Sequence, residues 1–192
     1  DDPEAAAVVI AALRAEGMTI LENAPVVQVS GAAGDITLQL KDGAQVKGSD
    51  LLVAVGRVAN TDGMDLEQGE VEHNRAGVKV DASLRSTNRR VYAIGDAAGG
   101  MQFTHVAGYH AGVLIRSMLF GLPAKATHHH IPRATYTDPE LAQIGLTEAE
   151  ARAAHGEALT VSRAEVSGND RAIATGRALG GGSLKGMPGK TR

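Results

Sequence analysis

A short apolar run that ends in a glycine and a carboxylate limits most strongly how this chain can fold. The run has the sequence VYAIGD at residues 91–96, with TNRR before it and AAGG after it. Brief apolar runs between turn signals are typical of buried strands. Because ligands of open α/β sheets lie at the carboxyl ends of strands, Asp96 is well placed to accept hydrogen bonds from a ligand hydroxyl. The alternative is that Asp96 only caps the turn that follows it.

A helix is predicted directly after this turn. Over residues 104–120, apolar side chains and His110 fall largely on one face, and Gly121 and Pro123 end the pattern. The N–H groups that a helix leaves unpaired at its start would point toward whatever Asp96 holds. An electron-rich ring or a phosphate would be stabilised at that place.

The N-terminal part of the chain predicts a mixed order of helices and strands. Residues 5–15 have the apolar spacing of a helix, Asp2 and Pro3 are typical of a helix start, and Gly17 is typical of a helix end. The strands predicted here are residues 18–21, 26–30, 36–40 and 51–55. The second and third alternate and are expected to be antiparallel, and residues 41–43 after the third have the sequence of a hairpin turn. The fourth is apolar throughout and is expected to be fully buried.

Composition narrows the class of protein. A length of 192 residues with 43% apolar content allows one ordinary domain or pieces of two. A formal charge of −3 and an aromatic content of 3% give no reason to expect nucleic acid or an acidic membrane surface as a partner. The absence of cysteine from the sequence excludes a disulfide framework, a cysteine-ligated metal and a thiol nucleophile within this chain. The apolar runs are too short to cross a bilayer and no signal peptide opens the chain, so the expected location is cytoplasmic.

Several motifs together resemble a known family. The segments LLVAVGRVAN at residues 51–60, VYAIGD at 91–96, QFTHVA at 102–107 and YTDPELAQIGLTE at 136–148 occur in that order, and NDRA at 169–172 also fits. This order resembles the class I pyridine nucleotide–disulfide oxidoreductases, the FAD-dependent relatives of dihydrolipoamide dehydrogenase, mercuric reductase and glutathione reductase. The resemblance covers roughly residues 1–178, and the segment FTHVAGYH is most similar to the mercuric-reductase-like branch.

The resemblance implies an α/β fold made of partial Rossmann-like nucleotide-binding domains and the start of an α+β dimer-interface domain. On this basis residues 1–57 are expected to be the C-terminal part of an NAD(P)-binding domain, and residues 58–127 the second segment of an FAD-binding domain. Residues 128–178 are expected to be a truncated dimerisation domain. Residues 179–192, rich in glycine, lysine and arginine, depart from the family pattern and are expected to be mobile.

The resemblance also implies a binding site for FAD. Asp96, which follows Gly95, would accept a hydrogen bond from a ribityl hydroxyl of FAD. The backbone N–H groups around Phe103, Thr104 and His105 would face the pyrimidine edge of the isoalloxazine. A helix start at that edge would stabilise the negative charge of reduced flavin.

A second pair of residues is expected near the nicotinamide nucleotide. By the same resemblance, Gly56 and Arg57 would lie at the junction of the NAD(P) and FAD domains. Gly56 would permit close backbone approach, and Arg57 would face a nucleotide. Family members often have proline before Asn60, where this chain has Ala59, which loosens the loop without removing chemistry.

The implied function is that of a fragment of an FAD-dependent NAD(P)H:disulfide or mercuric ion oxidoreductase. Hydride would pass from NAD(P)H to FAD and then to a disulfide or thiol-bound substrate in the parent enzyme. The resemblance implies that this parent is a homodimer, whereas this chain alone is not expected to dimerise as the family does. Neither the Gly-x-Gly-x-x-Gly fingerprint nor the redox cysteine pair occurs in this sequence, so the isolated chain is expected to be inactive and to contain no catalytic residue. The alternative is a non-catalytic flavin- or nucleotide-binding remnant. The substrate and the choice between NADH and NADPH stay open.

Two polar patterns have a structural interpretation. The three consecutive histidines at residues 128–130 are interpreted as part of a linker and not as a metal site, because consecutive side chains of an extended segment point in alternating directions. His110, on the helix near the expected flavin, is given either a structural role or a role in supporting residues that touch the ligand, in preference to proton transfer. Thr147 and Glu150 form the pattern of a capping box, which predicts a helix at residues 148–154.

Overall fold

The computed structural model describes residues 1–165, 169–174 and 183–187. The chain divides into two compact units, one made of Asp1–Leu51 with His129–Arg192 and the other of Leu52–His128. The elements, in chain order, are α1 (Pro3–Ala15), β1 (Val26–Ala32), β2 (Asp35–Leu40), β3 (Gln45–Gly48), β4 (His73–Asn74), β5 (Gly77–Val78), α2 (Thr104–Met118), β6 (Pro132–Thr135), β7 (Leu141–Ile144), α3 (Glu148–His155), β8 (Ser162–Glu165), α4 (Asp170–Ala174) and β9 (Ser183–Gly186). Single 3-10 turns occupy Gly95–Ala98 and Gly156–Ala158.

The first unit combines α1 with antiparallel strands. Asp2 caps α1 by accepting the N–H of Glu4, as the sequence predicts. Strands β1, β2 and β3 form one antiparallel sheet in that order, and the Asp42-Gly43 turn joins the last two. Two further antiparallel pairs, β6 with β7 and β8 with β9, belong to the same unit. Helix α3 begins with the predicted capping box, in which Thr147 and Glu150 bond reciprocally.

The second unit is built around a small apolar core. Leu66, Val71, Val78 and Ala93 are buried together, with Val80, Val91 and Ala98 packed against them. Residues 58–89 supply most of this core. Leu84 and Val106 are the largest fully buried side chains among the described residues. Helix α2 follows the core and buries Val106, His110 and Val113.

Two predicted strands are wrong. Residues 18–21 and 51–55 pair with no other segment in the described part of the chain. The second of them was expected to be fully buried, yet Leu52 is 89% exposed and Val55 is 92% exposed. A strand needs a neighbour to accept and donate its backbone hydrogen bonds. An apolar run indicates the tendency to be buried, but it does not supply that neighbour.

Two other predictions need partial correction. Residues 91–94 form one antiparallel bridge, between Tyr92 and Arg85, and not a longer strand, whereas the glycine turn after them is observed at Gly95–Ala98. The tail was expected to be mobile from residue 179, but Ser183–Gly186 forms β9 by pairing with β8. Residues 179–182 and 188–192 lie outside the described residues. No described helix is long and apolar enough to span a membrane.

Candidate functional site

The 3-10 turn Gly95–Ala98 packs closely against two neighbouring segments, and at each contact only a glycine fits. Gly95 has a φ of +58°, and a Cβ placed there would lie 2.9 Å from the Cβ of Ala107 on α2. On the other side, a Cβ at Gly77 of β5 would lie 2.5 Å from the carbonyl oxygen of Ala97. Contacts this short are incompatible with a side chain. The turn therefore lies directly between β5 and α2, which fixes the place of Asp96 within it.

The carboxylate of Asp96 is paired with Arg57. The guanidinium Nη2 of Arg57 lies 2.5 Å from Oδ2 of Asp96, and its Nη1 donates to the carbonyl oxygen of Gln102 at 3.2 Å. Both side chains stay open to solvent, with 64% of the Arg57 side chain and 39% of the Asp96 side chain exposed. In the described part of the chain, Arg57 is the residue that bonds this carboxylate. The pair joins the turn to the segment that precedes α2.

The start of α2 has no side-chain cap among the described residues. Phe103 is the N-cap residue, and the first turn of the helix, which is described in full, contains no acidic side chain. The first turn of α2 therefore contains no carboxylate of its own to compensate the positive end of the helix dipole. Thr104 and His105 are exposed, and the rings of Phe103 and His105 stack with their centroids 5.3 Å apart. This helix start can accept an electron-rich group or an anion.

The buried side chain of His110 accepts a hydrogen bond from the backbone of the turn. The N–H of Gly95 donates to Nδ1 of His110 at 3.1 Å, and Nε2 of His110 lies 3.0 Å from Nε2 of His128. His110 is 2% exposed. Burial, and next the neighbouring imidazole of His128, lower the pKa of His110. The contact with His128 was missed by sequence analysis, because no local pattern relates two residues eighteen positions apart.

A separate charged cluster lies in the first unit and was also missed. The Lys185 ammonium contacts the carboxylates of Asp2, Glu4 and Glu148, and Arg163 contacts the last two. Hydrogen bonds from Arg163 and Lys185 hold the pKa of Glu4 at about 2. The pKa of Glu148 is lowered by Lys185 and then by Arg152. Lys185 lies in the tail that was predicted to be mobile, and no local pattern relates it to carboxylates at the other end of the chain.

The predicted site residues fall in one unit. Gly95, Asp96 and Arg57 meet at the turn, and Phe103, Thr104 and His105 form the helix start that follows it. Gly56 adjoins Arg57 and has a φ of +119°, with open space where a Cβ would be. No group of three or more potential metal ligands occurs within residues 1–165, 169–174 and 183–187. The arrangement provides a hydrogen-bond acceptor and a positive helix end, which suit binding of a polar cofactor.

Two family models match most of the chain. Residues 1–111, which include all seven predicted site residues, match the pyridine nucleotide-disulphide oxidoreductase family, and residues 131–185 match the dimerisation domain of the same family. The second match extends past residue 178, where the sequence was expected to leave the family pattern. That expectation is therefore wrong for residues 179–185.

Two curated relatives with known names are similar to most of this chain. Dihydrolipoyl dehydrogenase of Bacillus subtilis is 36% identical over 136 residues, which are 71% of this chain and 29% of the relative. Mercuric reductase of Staphylococcus aureus is 32% identical over 155 residues, 79% of this chain and 28% of the relative. The chain thus spans less than a third of the length of these relatives.

Two solved structures are similar over nearly the whole chain. The HOCl-induced flavoprotein disulfide reductase RclA of Escherichia coli has a TM-score of 0.83 at 28% identity and covers 98% of this chain and 43% of its own. LpdA of Mycobacterium tuberculosis has the same fold. Its TM-score is 0.86 at 23% identity, and the match covers 99% of this chain and 41% of LpdA. The two family matches and the relatives together establish that the chain belongs to the pyridine nucleotide-disulphide oxidoreductase family.

Proposed function

We propose that this chain provides part of the FAD cradle of an FAD- and NAD(P)-dependent oxidoreductase that acts on a disulfide or on mercuric ion. The relatives named dihydrolipoyl dehydrogenase and mercuric reductase support this class of reaction. The observation that carries the proposal is the position of Asp96, in a glycine-bounded turn shortly before a helix start without a side-chain cap. Bound FAD would supply the acceptor for hydride from NAD(P)H.

The residues present fit such a cofactor. Oδ2 of Asp96 is taken by Arg57, but a 39% exposed carboxylate still has acceptor capacity for a ribityl hydroxyl. The first N–H groups of α2 and the helix dipole would stabilise negative charge on a ring placed at Phe103, Thr104 and His105. Arg57 would keep the carboxylate oriented, because it bonds both Asp96 and the Gln102 carbonyl.

We assign the remaining parts of the chain by the same family pattern. Residues 1–57 would belong to the NAD(P)-binding domain and residues 58–127 to the FAD-binding domain. The dimerisation domain would begin at residue 128 and extend to residue 185, where its family match ends. This chain would bind cofactor without completing the reaction, since its sequence contains no cysteine on which electrons could arrive. The NAD(P)H-dependent reduction of a disulfide is therefore expected of the parent homodimer and not of this chain alone.

Titration of the chain with FAD, followed by flavin absorbance and fluorescence, tests the proposal. We expect Asp96→Ala to raise the dissociation constant at least about tenfold, the effect of losing a hydrogen bond to a charged group. The matched control is Asp62→Ala, which removes an exposed carboxylate of the same unit and should leave binding unchanged. Equal FAD affinity in the two variants, or no binding by the unaltered chain, would overturn the proposal.

A further inference from the structure

We propose that His110 is a positioning residue for the Asp96 turn, and that His128, by accepting from Nε2, further stabilises the tautomer in which His110 can do this. The inference concerns two side chains that neither the sequence motifs nor the relatives assign. It rests on the proposed function only for the identity of the ligand. The hydrogen-bond chain on which it depends is independent of that ligand.

The protonation pattern follows from the donors and acceptors. The backbone N–H of Gly95 can only donate, so Nδ1 of His110 must be the unprotonated nitrogen. A neutral imidazole then carries its proton on Nε2, which donates to Nε2 of His128 at 3.0 Å. Nε2 of His128 must therefore also be unprotonated. Both imidazole rings have to be neutral for the two hydrogen bonds, from Gly95 to His110 and from His110 to His128, to form.

This series of hydrogen bonds, from Gly95 through His110 to His128, controls the direction of the Asp96 side chain. Gly95 is buried, and a buried backbone N–H without a partner is costly, so loss of the His110 acceptor would favour a different turn conformation. Asp96 is the next residue, and its carboxylate direction depends on the same backbone. His110 touches no ligand in this scheme. It acts through the Gly95 amide, which makes it a positioning residue.

A second contact ties the segment that contains His128 to the same helix. Tyr109 precedes His110 on α2, and its hydroxyl accepts the N–H of Thr127 at 2.9 Å. The hydroxyl also lies 3.5 Å from the carbonyl oxygen of Lys125. Two consecutive residues of α2 thus hold residues 125–128 in place. This places His128 where it can accept from Nε2 of His110.

In the described residues, the charged and titratable groups near His110 come from the turn, from α2 and from the segment that contains His128. On the turn, Asp96 is paired with Arg57, and on α2 the ring of Tyr109 lies 5.9 Å from the His110 ring. Lys125 and His128 come from the packed segment. In the described part of the chain no third metal ligand joins the two imidazoles, which favours a hydrogen bond over a shared metal ion.

The first test needs no cofactor. In the chain labelled with ¹⁵N-histidine, long-range NMR correlations distinguish the two neutral tautomers of each ring. We expect the signals that disappear in His110→Asn to show protonated Nε2 and unprotonated Nδ1. They should also stay neutral to a lower pH than those of exposed histidines. An Nδ1-protonated His110, or one that titrates like an exposed histidine, would overturn the inference.

A pair of substitutions tests the positioning role. The amide oxygen of His110→Asn can take the place of Nδ1, whereas His110→Gln places its amide near Nε2 and loses the acceptor for Gly95. We expect His110→Gln to weaken FAD binding about fivefold to tenfold, as for the loss of one hydrogen bond, and His110→Asn to stay within about twofold. The affinity of the unaltered chain should fall as His110 protonates, and that of His110→Asn should not. Equal losses of FAD affinity in both variants would show that His110 only fills space in the core and does not position the turn.

His128→Phe tests the tautomer selection in a variant that should fold, because His128 is exposed. We expect the Nε2-protonated tautomer of His110 to be less predominant in this variant, because only the Gly95 N–H then favours it, and we expect faster hydrogen exchange at the Gly95 amide. An unchanged tautomer would show that His128 has no part in the selection. If the unaltered chain does not bind FAD, the proposed function fails, while the NMR results still decide the hydrogen-bond chain.

Discussion

The ammonium of Lys185 donates to both carboxylate oxygens of Asp2, each at 3.1 Å, although 183 positions separate the two residues. Asp2 is also the N-cap of α1 and accepts the N–H of Glu148 at the start of α3. Burial raises the pKa of Asp2, but the hydrogen bonds from Glu148, Lys185 and Glu4 outweigh it, and the pKa is lowered overall. One carboxylate therefore joins two helix starts and one strand.

We expect Lys185→Met to lower the melting temperature of the first unit by several degrees at neutral pH. The substitution leaves the carboxylates of Asp2, Glu4 and Glu148 close together without the cation that they share. Differential scanning calorimetry measures the change. Lys79→Met is the control, because its pair with Glu72 is exposed and should contribute little. A melting temperature as high as that of the unaltered chain would contradict the role of Lys185.

Acid should weaken the same cluster. The pKa of Glu4 is about 2 in the folded chain and 4.5 is its ordinary value. A carboxyl whose pKa is lowered by folding contributes stability above its ordinary pKa, and this is lost as the pH falls through the folded value. We therefore expect the melting temperature to fall as the pH drops from about 4.5 toward 2. Glu4→Gln should flatten this dependence, and an identical pH profile in the variant would count against the cluster.

Gly95→Ala should destabilise the second unit by about 2 kcal/mol. The φ of +58° disfavours any side chain, and the new Cβ would lie 2.9 Å from that of Ala107. Urea unfolding measures the free energy. Gly108→Ala is the matched control, because Gly108 lies within α2 with open space around it, and alanine there should stabilise by up to about 1 kcal/mol. Equal effects of the two substitutions would show that the turn does not require glycine.

The core of the second unit gives another prediction. Leu84 is 2% exposed, so Leu84→Ala should lower the free energy of unfolding by about 2–4 kcal/mol through lost burial and a cavity. Leu52, which is 89% exposed, is the control, and Leu52→Ala should change the free energy by less than about 0.5 kcal/mol. Urea titrations of both variants make the comparison. A small effect at Leu84 would mean that this core is not closely packed.

Local signals predicted the helices well. Asp2 and Pro3 placed the start of α1, the pair Thr147 and Glu150 placed the start of α3, and the apolar period with Gly121 placed α2 within two residues of its observed end. Each of these signals acts within one helical turn of the residue it affects. The sequence therefore contains the information that decides them.

Contacts between distant residues were not predictable in this way. The apolar run at residues 51–55 was expected to be a buried strand, but no described segment pairs with it. His110 meets His128, and Lys185 meets Asp2, through the fold and not through any local pattern. The resemblance to a family identified Asp96 and Arg57 as site residues, but it did not indicate that they contact each other. Pairing partners and ion pairs depend on the tertiary structure, which a motif does not specify.

The contact between Arg57 and Asp96 gives the last prediction. Arg57 bonds Asp96 and the Gln102 carbonyl at the same time, so its planar guanidinium fixes the carboxylate relative to the start of α2. A lysine would keep the positive charge but could not form both bonds with the same geometry. If orientation is what Arg57 provides, Arg57→Lys should weaken FAD binding about threefold to tenfold, nearly as much as Arg57→Gln.

If charge alone is what Arg57 provides, Arg57→Lys should bind FAD as the unaltered chain does, and only Arg57→Gln should bind more weakly. A third result, tighter binding in both variants, would mean that Arg57 competes with the ribityl hydroxyl for the Asp96 carboxylate. Arg89→Gln is the control, because it removes an exposed cation of the same unit. The FAD titration over a range of salt concentrations separates the first two results, since screening weakens a charge effect more than an orientation effect.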